Sequence, residues 1–374
     1  MLKGIHLTLL VGPVVAVPAP QPVVDALVSA QVTTASQGRS GFQLQFSVAK
    51  GSFLETALLP AGYFDPGIRV ILVATVNGLP NVLMDGIVTR QDLAPSNDVG
   101  ASRLTVTGED ISVMMGLLEI TGFPFPAMPD YARVEAILAK YALFGVTPLV
   151  IPSALLDVPI PTEQIPEQRG TDLDYINQLA RDAGYVFYVD AGPVPGVNVA
   201  YWGPEIRIGV PQPALNVNMD AATNVESISF GFDGLSREQV VVLIQEPTTK
   251  IPIPIPIPDV SLLKPPLALR PAPALRLKVL SNTAKENPVR AALLGLAETA
   301  GGADAVTGNG QLDVLRYGGV LKARGLVGVR GAGPSYDGLY FVKSVTHDIK
   351  PGEYKQSFQL AREGLLSITP RVVP

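Results

Sequence analysis

Apolar and polar residues alternate with a period of two through most of the first 110 positions. That period commits this part of the chain to strands buried on one face. FQLQFSV (42–48) sets Phe42, Leu44, Phe46 and Val48 on one side and Gln43, Gln45 and Ser47 on the other. RVILVATV (69–76) and SRLTVTG (102–108) read as further strands, with turn signals at Gln37-Gly38, Asn77-Gly78 and Asp85-Gly86. Antiparallel strands at this spacing predict a small barrel or sandwich over 1–110.

The 374 residues allow two or three domains. Gly and Pro, 36 and 35 residues, suit many turns and short strands and stay below the share of a disordered chain. Charged residues make up 16% and hydrophobic ones 47%, which is little charge for an isolated surface, so partners are expected to cover much of it. No run of about 18 apolar residues is free of Pro, Gly or charge, so membrane insertion is not expected. A net charge of -5 gives no reason for a nucleic-acid-binding face. With no cysteine, and His6 and His347 as its two histidines, the chain offers no thiolate chemistry and little for zinc; no metal or cofactor is expected. The opening Lys3 and apolar run resemble a signal peptide faintly, but Gly12-Pro13 interrupts the run, and Leu7 to Val17 reads as strand and turn.

At Asp110 the period changes. Ile111, Met114, Met115 and Leu118 have helical spacing. Asp130 reads as the N-cap of a helix facing inward with Val134, Ile137, Leu138 and Tyr141 and ended by Gly145. In TDLDYINQLARDAGYVFYV (171–189), Asp172 and Asp174 raise the question of a carboxylate pair or a calcium loop. Residues two apart on a helix point to nearly opposite sides, and Ile176 and Asn177 stand where a calcium loop needs a ligand and a glycine. Thr171 with Asp174 at N3 instead forms a capping box, both aspartates favour the helix dipole, and Gly184 caps the other end. Leu173, Ile176, Leu179, Ala180 and Ala183 form the apolar face, followed by strands YVFYV and VNVAYW.

Strand patterns return over 206–246. Then nine of the 28 residues from Pro247 to Ala274 are proline. Every second N–H of IPIPIPIP is missing, so this cannot be a central strand; it reads as an extended, polyproline-like strap. Ile251, Ile253, Ile255 and Ile257 are candidates to line a partner's groove, since a plain linker seldom carries four exposed Ile. A helix over 286–300 and strands to the end of the chain follow.

Two stretches echo one another. Residues 82–112 and 338–367 each run strand, Val-Thr, a turn with Asp and Pro, then an alternating strand ending at Glu109 or Glu363. With both halves reading as small barrels, an internal duplication is expected.

These residues resemble a family. Residues 170–190 are similar to the helix and strand of the VgrG spike proteins of type VI secretion, and 336–366 to the end of the phage late control D family, with 286–330 as its lead-in. The resemblance implies a mainly β (α+β) baseplate hub of a contractile tail or injection particle. It implies two tail-tube-like antiparallel barrels: 1–110, and 206–250 combined with 310–374. An α/β middle domain would occupy 111–205, and the strap and helix of 251–309 would interrupt the second barrel. Three chains would form a homotrimeric ring that adapts a threefold spike to a sixfold inner tube, beside other baseplate proteins. Assembly would take place in the bacterial cytoplasm. The long IPIPIPIP run departs from the family pattern. VgrG chains continue into a spike and this sequence does not, so the spike is expected as a separate polypeptide.

The alternative is a β-rich secreted hydrolase or carbohydrate-binding protein. Asp65, Glu109, Asp110 and Glu205 are its candidate carboxylates, with nothing to fix a pair at glycosidase spacing. GLVGVRGAGPS (325–335) lacks the order of a nucleotide loop, and no G-x-S-x-G or H-E-x-x-H occurs. His347, placed after a strand, reads as a turn or interface residue rather than a base.

Overall fold

The computed structural model describes residues 4–98, 101–153, 158–162, 165–245, 252–257, 264–280, 294–299, 304–369 and 372. The first strands are β1 (Ile5–Gly12), β2 (Val17–Pro18), β3 (Leu27–Ala35), β4 (Gly41–Ser47), β5 (Arg69–Val76), β6 (Leu79–Ala94) and β7 (Arg103–Asp110). Alternation does what the sequence asks of it in β4, where Phe42, Leu44 and Phe46 are buried and Gln43, Gln45 and Ser47 are half-exposed. Asn77-Gly78, both at positive φ, make the hairpin turn between β5 and β6.

Asp85-Gly86 is not the turn the sequence suggests. β6 runs straight through it, and the buried Asp85 carboxylate takes two bonds from Arg69, Nε at 2.7 Å and Nη2 at 2.6 Å. Gly86 is there for space, since a Cβ would lie 2.3 Å from the Glu109 carbonyl oxygen. Arg69 also donates to the carbonyls of Val14 and Phe144, and Asn198 donates to Asp85, so this ion pair ties the first strands to the next domain.

That domain holds β8 (Phe123–Pro124), β9 (Val146–Val150), β10 (Glu167–Gln168), β11 (Val186–Ala191) and β12 (Asn198–Gly203). The sheet order is β11-β12-β9, packed by two helices over Asp130–Leu138 (α1) and Asp172–Ala183 (α2). Its core joins Val134, Ile137, Leu138, Leu173, Ile176 and Trp202. Asp130 is the first residue of α1 and not its cap. Pro129 holds that position, and Asp130 pairs with Arg133 instead. Tyr141 lies past α1 in a 3-10 turn that Gly145 ends at φ +74.

The remaining strands are β13 (Gln212–Asn216), β14 (Val225–Phe232), β15 (Glu238–Gln245), β16 (Pro252–Pro256), β17 (Ala268–Pro271), β18 (Arg276–Leu280), β19 (Val306–Asp313), β20 (Leu326–Arg330), β21 (Gly338–Lys350), β22 (Glu353–Arg362) and β23 (Gly364–Ser367). IPIPIPIP is not a free polyproline strap: Pro252–Pro256 is the edge strand of a three-stranded sheet ordered β16-β15-β18. The Ile257 N–H donates to the Val240 carbonyl at 3.0 Å, and two-residue spacing turns the N–H of Ile253 and Ile255 the same way. Each proline then sits where the free edge needs no donor. β15 belongs to this small sheet, and β19 begins at Val306, inside the stretch the sequence assigns to the insertion.

Apart from the two-stranded pairs β8-β10 and β17-β23, one 13-stranded sheet carries the rest, along the path β14-β19-β22-β21-β3-β4-β7-β6-β5-β1-β2, with β20 joining β21 to β13. It contains the same arrangement twice. Numbered in chain order, the six strands β1, β3, β4, β5, β6, β7 lie side by side as 1-4-5-6-3-2, and β13, β14, β19, β20, β21, β22 lie in that same order. Two of the bulges agree as well. One extra residue falls at Val28 in β3 and at Glu226 in β14, and another at Thr89 in β6 and at Lys343 in β21. The copies differ at their first strand, since β1 is antiparallel to β5 and β13 is parallel to β20. The molecule is mainly β with large antiparallel sheets. Among the described residues no ladder joins the first to the last strand of either copy, so neither closes as a hydrogen-bonded barrel.

Candidate functional site

The sequence motif at 171–189 builds a helix start. The Thr171 Oγ1 accepts the Asp174 N–H at 3.1 Å, and the Asp174 carboxylate receives the Thr171 N–H at 3.4 Å, a reciprocal cap closed at the other end by Gly184 at φ +68. Asp172 does more than favour the dipole. It is buried, and its carboxylate accepts from Lys140 Nζ (2.8 Å), Tyr141 Oη (2.8 Å) and Gln168 Nε2 (2.7 Å). Burial, then the bond to Asp172, pushes the Tyr141 phenol above its usual range.

The candidate carboxylates are dispersed, and each is engaged. Asp65 accepts from Gln91, Glu109 pairs with Arg39 at 2.6 Å, and Asp110 caps the 3-10 turn of Ile111–Gly116 by accepting from the Ser112 and Ser40 N–H groups. Burial raises the Asp110 pKa. His347 is not in a turn: it lies inside β21, fully buried, with Nδ1 2.7 Å from Tyr354 Oη and 3.2 Å from Gln356 Nε2. Burial lowers its pKa to about 4, so it is neutral at pH 7 and out of reach of any substrate.

Glu205 belongs to a charged knot that no sequence motif announces. Arg207, 1% exposed, donates to Asp304 through Nη1 (2.6 Å) and Nη2 (2.7 Å) and to Glu205 through Nε (3.0 Å) and Nη2 (2.7 Å). Lys343, the bulge residue of β21, pairs with Glu205 (3.1 Å) and Asp304 (3.0 Å), and Lys264 reaches Glu205 at 3.4 Å. Burial raises Glu205 and Asp304, but Arg207 and the lysines outweigh it and hold both below the ordinary carboxylate range. The Arg207 guanidinium also lies 4.9 Å from the centre of the Phe341 ring. The knot fastens the end of the middle domain to Lys264, to the start of β19 and to β21. A neighbouring cleft of 560 Å³ is lined by charges of both signs, among them Arg181, Asp182, Glu205, Lys264 and Glu298. It is not the acidic cleft that the hydrolase alternative expects.

In the Pro-rich strand, Ile253 and Ile255 are 47% and 40% exposed. Ile257 is no partner contact, because it is buried in a small core with Val242, Leu280 and Leu296. Ile251 and residues 286–293 of the expected helix lie outside the described residues; 294–299 are helical. Among the described residues no helix is long and apolar enough to cross a membrane. The geometry as a whole joins parts of a frame, and its chemistry is that of ion pairs and caps.

No protein-family model matches the chain, and no curated protein matches its sequence. Solved structures do match its fold. The tail protein from Neisseria meningitidis MC58 is 14% identical over 97% of this chain and 98% of its own, with a TM-score of 0.64. The 43 kDa tail protein of prophage MuSo2 from Shewanella oneidensis is 15% identical over 96% and 99%, with a TM-score of 0.65. A chain of the Francisella PdpA-VgrG complex is 8% identical, with a TM-score of 0.61, over all of this chain and 54% of its own. The molecule has the fold shared by phage tail proteins and VgrG-type secretion proteins.

Proposed function

We propose that the protein is a structural baseplate hub of a contractile tail or tail-like injection particle. Three copies form a ring that adapts a threefold spike to a sixfold inner tube. The observation that carries this reading is the duplicated six-stranded unit, because three chains with two units each present six equivalent faces. The fold of the tail proteins supports it, as does a sequence poor in charge for its length. Its work is positioning, symmetry matching and load transfer without chemistry, beside other baseplate proteins and in particles built in the bacterial cytoplasm. Ile253 and Ile255 give the edge of the small sheet an apolar contact for one of those partners.

The native mass of the purified chain tests this, alone and with the spike protein of the same particle. A species of three times 39.5 kDa, alone or on spike addition, is expected. A monomer under both conditions rejects the ring.

A further inference from the structure

The duplication leaves two strand edges whose counterparts are already joined inside the chain. β3 lies along the second half of β21, pairing Ser344 with Ala35, Thr346 with Thr33 and His347 with Val32. The counterpart of β3 is β14, whose other edge has no strand partner among the described residues. The counterpart of that half of β21 is the end of β6. There the edge facing β5 is occupied only as far as Val88, which exchanges bonds with Ile68 and Gly67. Beyond it, Arg90 to Ala94 are flanked by β7 alone. Burial follows the difference. Val345, His347 and Ile349 are buried at the internal junction, while Leu93 is 50% exposed and Phe232 of β14 is 43% exposed.

Building on the ring proposed above, we propose that β14 of one copy adds antiparallel to residues 90–94 of β6 in a second copy, repeating between chains the junction that β3 and β21 make within one. The bulges set the register. Laying Val28 on Glu226 and Thr89 on Lys343 carries the Ser344–Ala35 pair onto Arg90–Asp233, and His347–Val32 onto Leu93–Phe230. At its first and fourth rungs the transfer sets a cation opposite an anion on the outer face and two apolar side chains together on the inner one, although the bulges themselves carry no information about charge or hydrophobicity. Phe230 already stacks on Tyr336 at 5.2 Å, so Leu93 would extend an existing apolar cluster. The occupant is another copy of this chain because it offers the edge with this bulge and this register. The contact is head to tail, which makes a closed ring or an open filament according to its rotation.

The chain has no cysteine, so disulfide trapping reads the contact directly. The third rung of the internal junction brings the hydroxyls of Thr33 and Thr346 within 3.0 Å. Its transferred counterpart is Gly231 opposite Asp92. A Cβ on Gly231 would meet nothing closer than Thr307 Oγ1 at 3.4 Å, so cysteine fits there. The double variant Asp92→Cys/Gly231→Cys should oxidise to a covalent trimer. The two single variants should give a dimer when mixed and nothing when oxidised apart. Ala94→Cys/Gly231→Cys, out of register by two, should link far less. As an independent reading, Arg90→Asp should weaken self-association and Asp233→Arg in the same chain should restore it. A native trimer that does not link at 92 and 231 overturns the edge pairing and leaves the ring standing. Covalent ladders beyond the trimer keep the edge pairing and reject the ring. Monomers that never link reject both.

Discussion

His347 makes the stability of the molecule depend on pH near neutrality, and the structure gives the sign. In the unfolded chain a histidine takes its proton near pH 6.5; in the fold, burial delays this to about pH 4. Between those values the unfolded state holds more protons, so lowering the pH pulls the equilibrium towards unfolding. The stability is fully present above pH 6.5 and is lost as the pH falls towards 4. For one proton and this shift, the loss from pH 7 to pH 5 is about 2 kcal/mol. Among the described residues no anion faces the imidazolium, since Nδ1 meets Tyr354 and Gln356 and Val32 of β3 stands opposite. Urea melts at pH 7, 6 and 5, at fixed protein concentration because association shifts the midpoint, should show this slope in the parent protein. His347→Gln, which keeps a partner for Tyr354, should flatten it by about that amount whatever its own stability. A variant with the same slope as the parent would refute the assignment and place the titrating group elsewhere.

Four further variants test the ion pairs and the helix cap. Arg207→Met leaves Glu205 and Asp304 buried without their main cation and should cost about 3–5 kcal/mol in a urea melt, whereas Arg39→Met, which breaks an exposed pair, should cost about 1 kcal/mol or less. Thr171→Ala should cost about 1 kcal/mol for the lost cap. Asp172→Ala should cost more than that, since it strands Lys140, Tyr141 and Gln168 together; equal losses in the two variants would reduce Asp172 to a helix-end charge.

Most of what could be read from the chain is local. The alternation in β4, the box of Thr171 and Asp174 and the stop at Gly184 depend on residues within a few positions of one another, and each is found where its pattern puts it. Asp85-Gly86 misleads because the Arg69 that buries Asp85 comes 16 residues earlier, so a turn dipeptide and a strand dipeptide look alike. The charged knot draws on positions 205, 207, 264, 304 and 343, with no spacing to mark them. The internal echo is an intermediate case. It picks the right pair of hairpins, but matches Val88 with Val345 and Glu109 with Glu363. The ladders and their bulges instead place Val88 on Val342 and Glu109 on Ala361. A period of two reports the face and not the rung, so any even slip satisfies it; only the extra residues at Thr89 and Lys343 set the register.

The edges of the sheets show how the chain separates contacts it uses from contacts it must avoid. An open edge is a template for another strand, and proteins that do not want one there blunt it. β16 is blunted at every second position, since Pro254 and its neighbours present no donor outward while the isoleucines spend theirs on β15. The outer edge of β1 is partly covered by the short β2. β14 has neither device. Residues Ser227 to Phe232 contain no proline and no lysine, alternate large apolar residues with serine or glycine, and keep their outer donors. Were that edge idle, the same chain that places a proline at every second position of β16 would be expected to protect β14 too. The contrast is what an edge kept ready for a partner strand looks like, and it falls on the strand whose counterpart in the other copy is already paired.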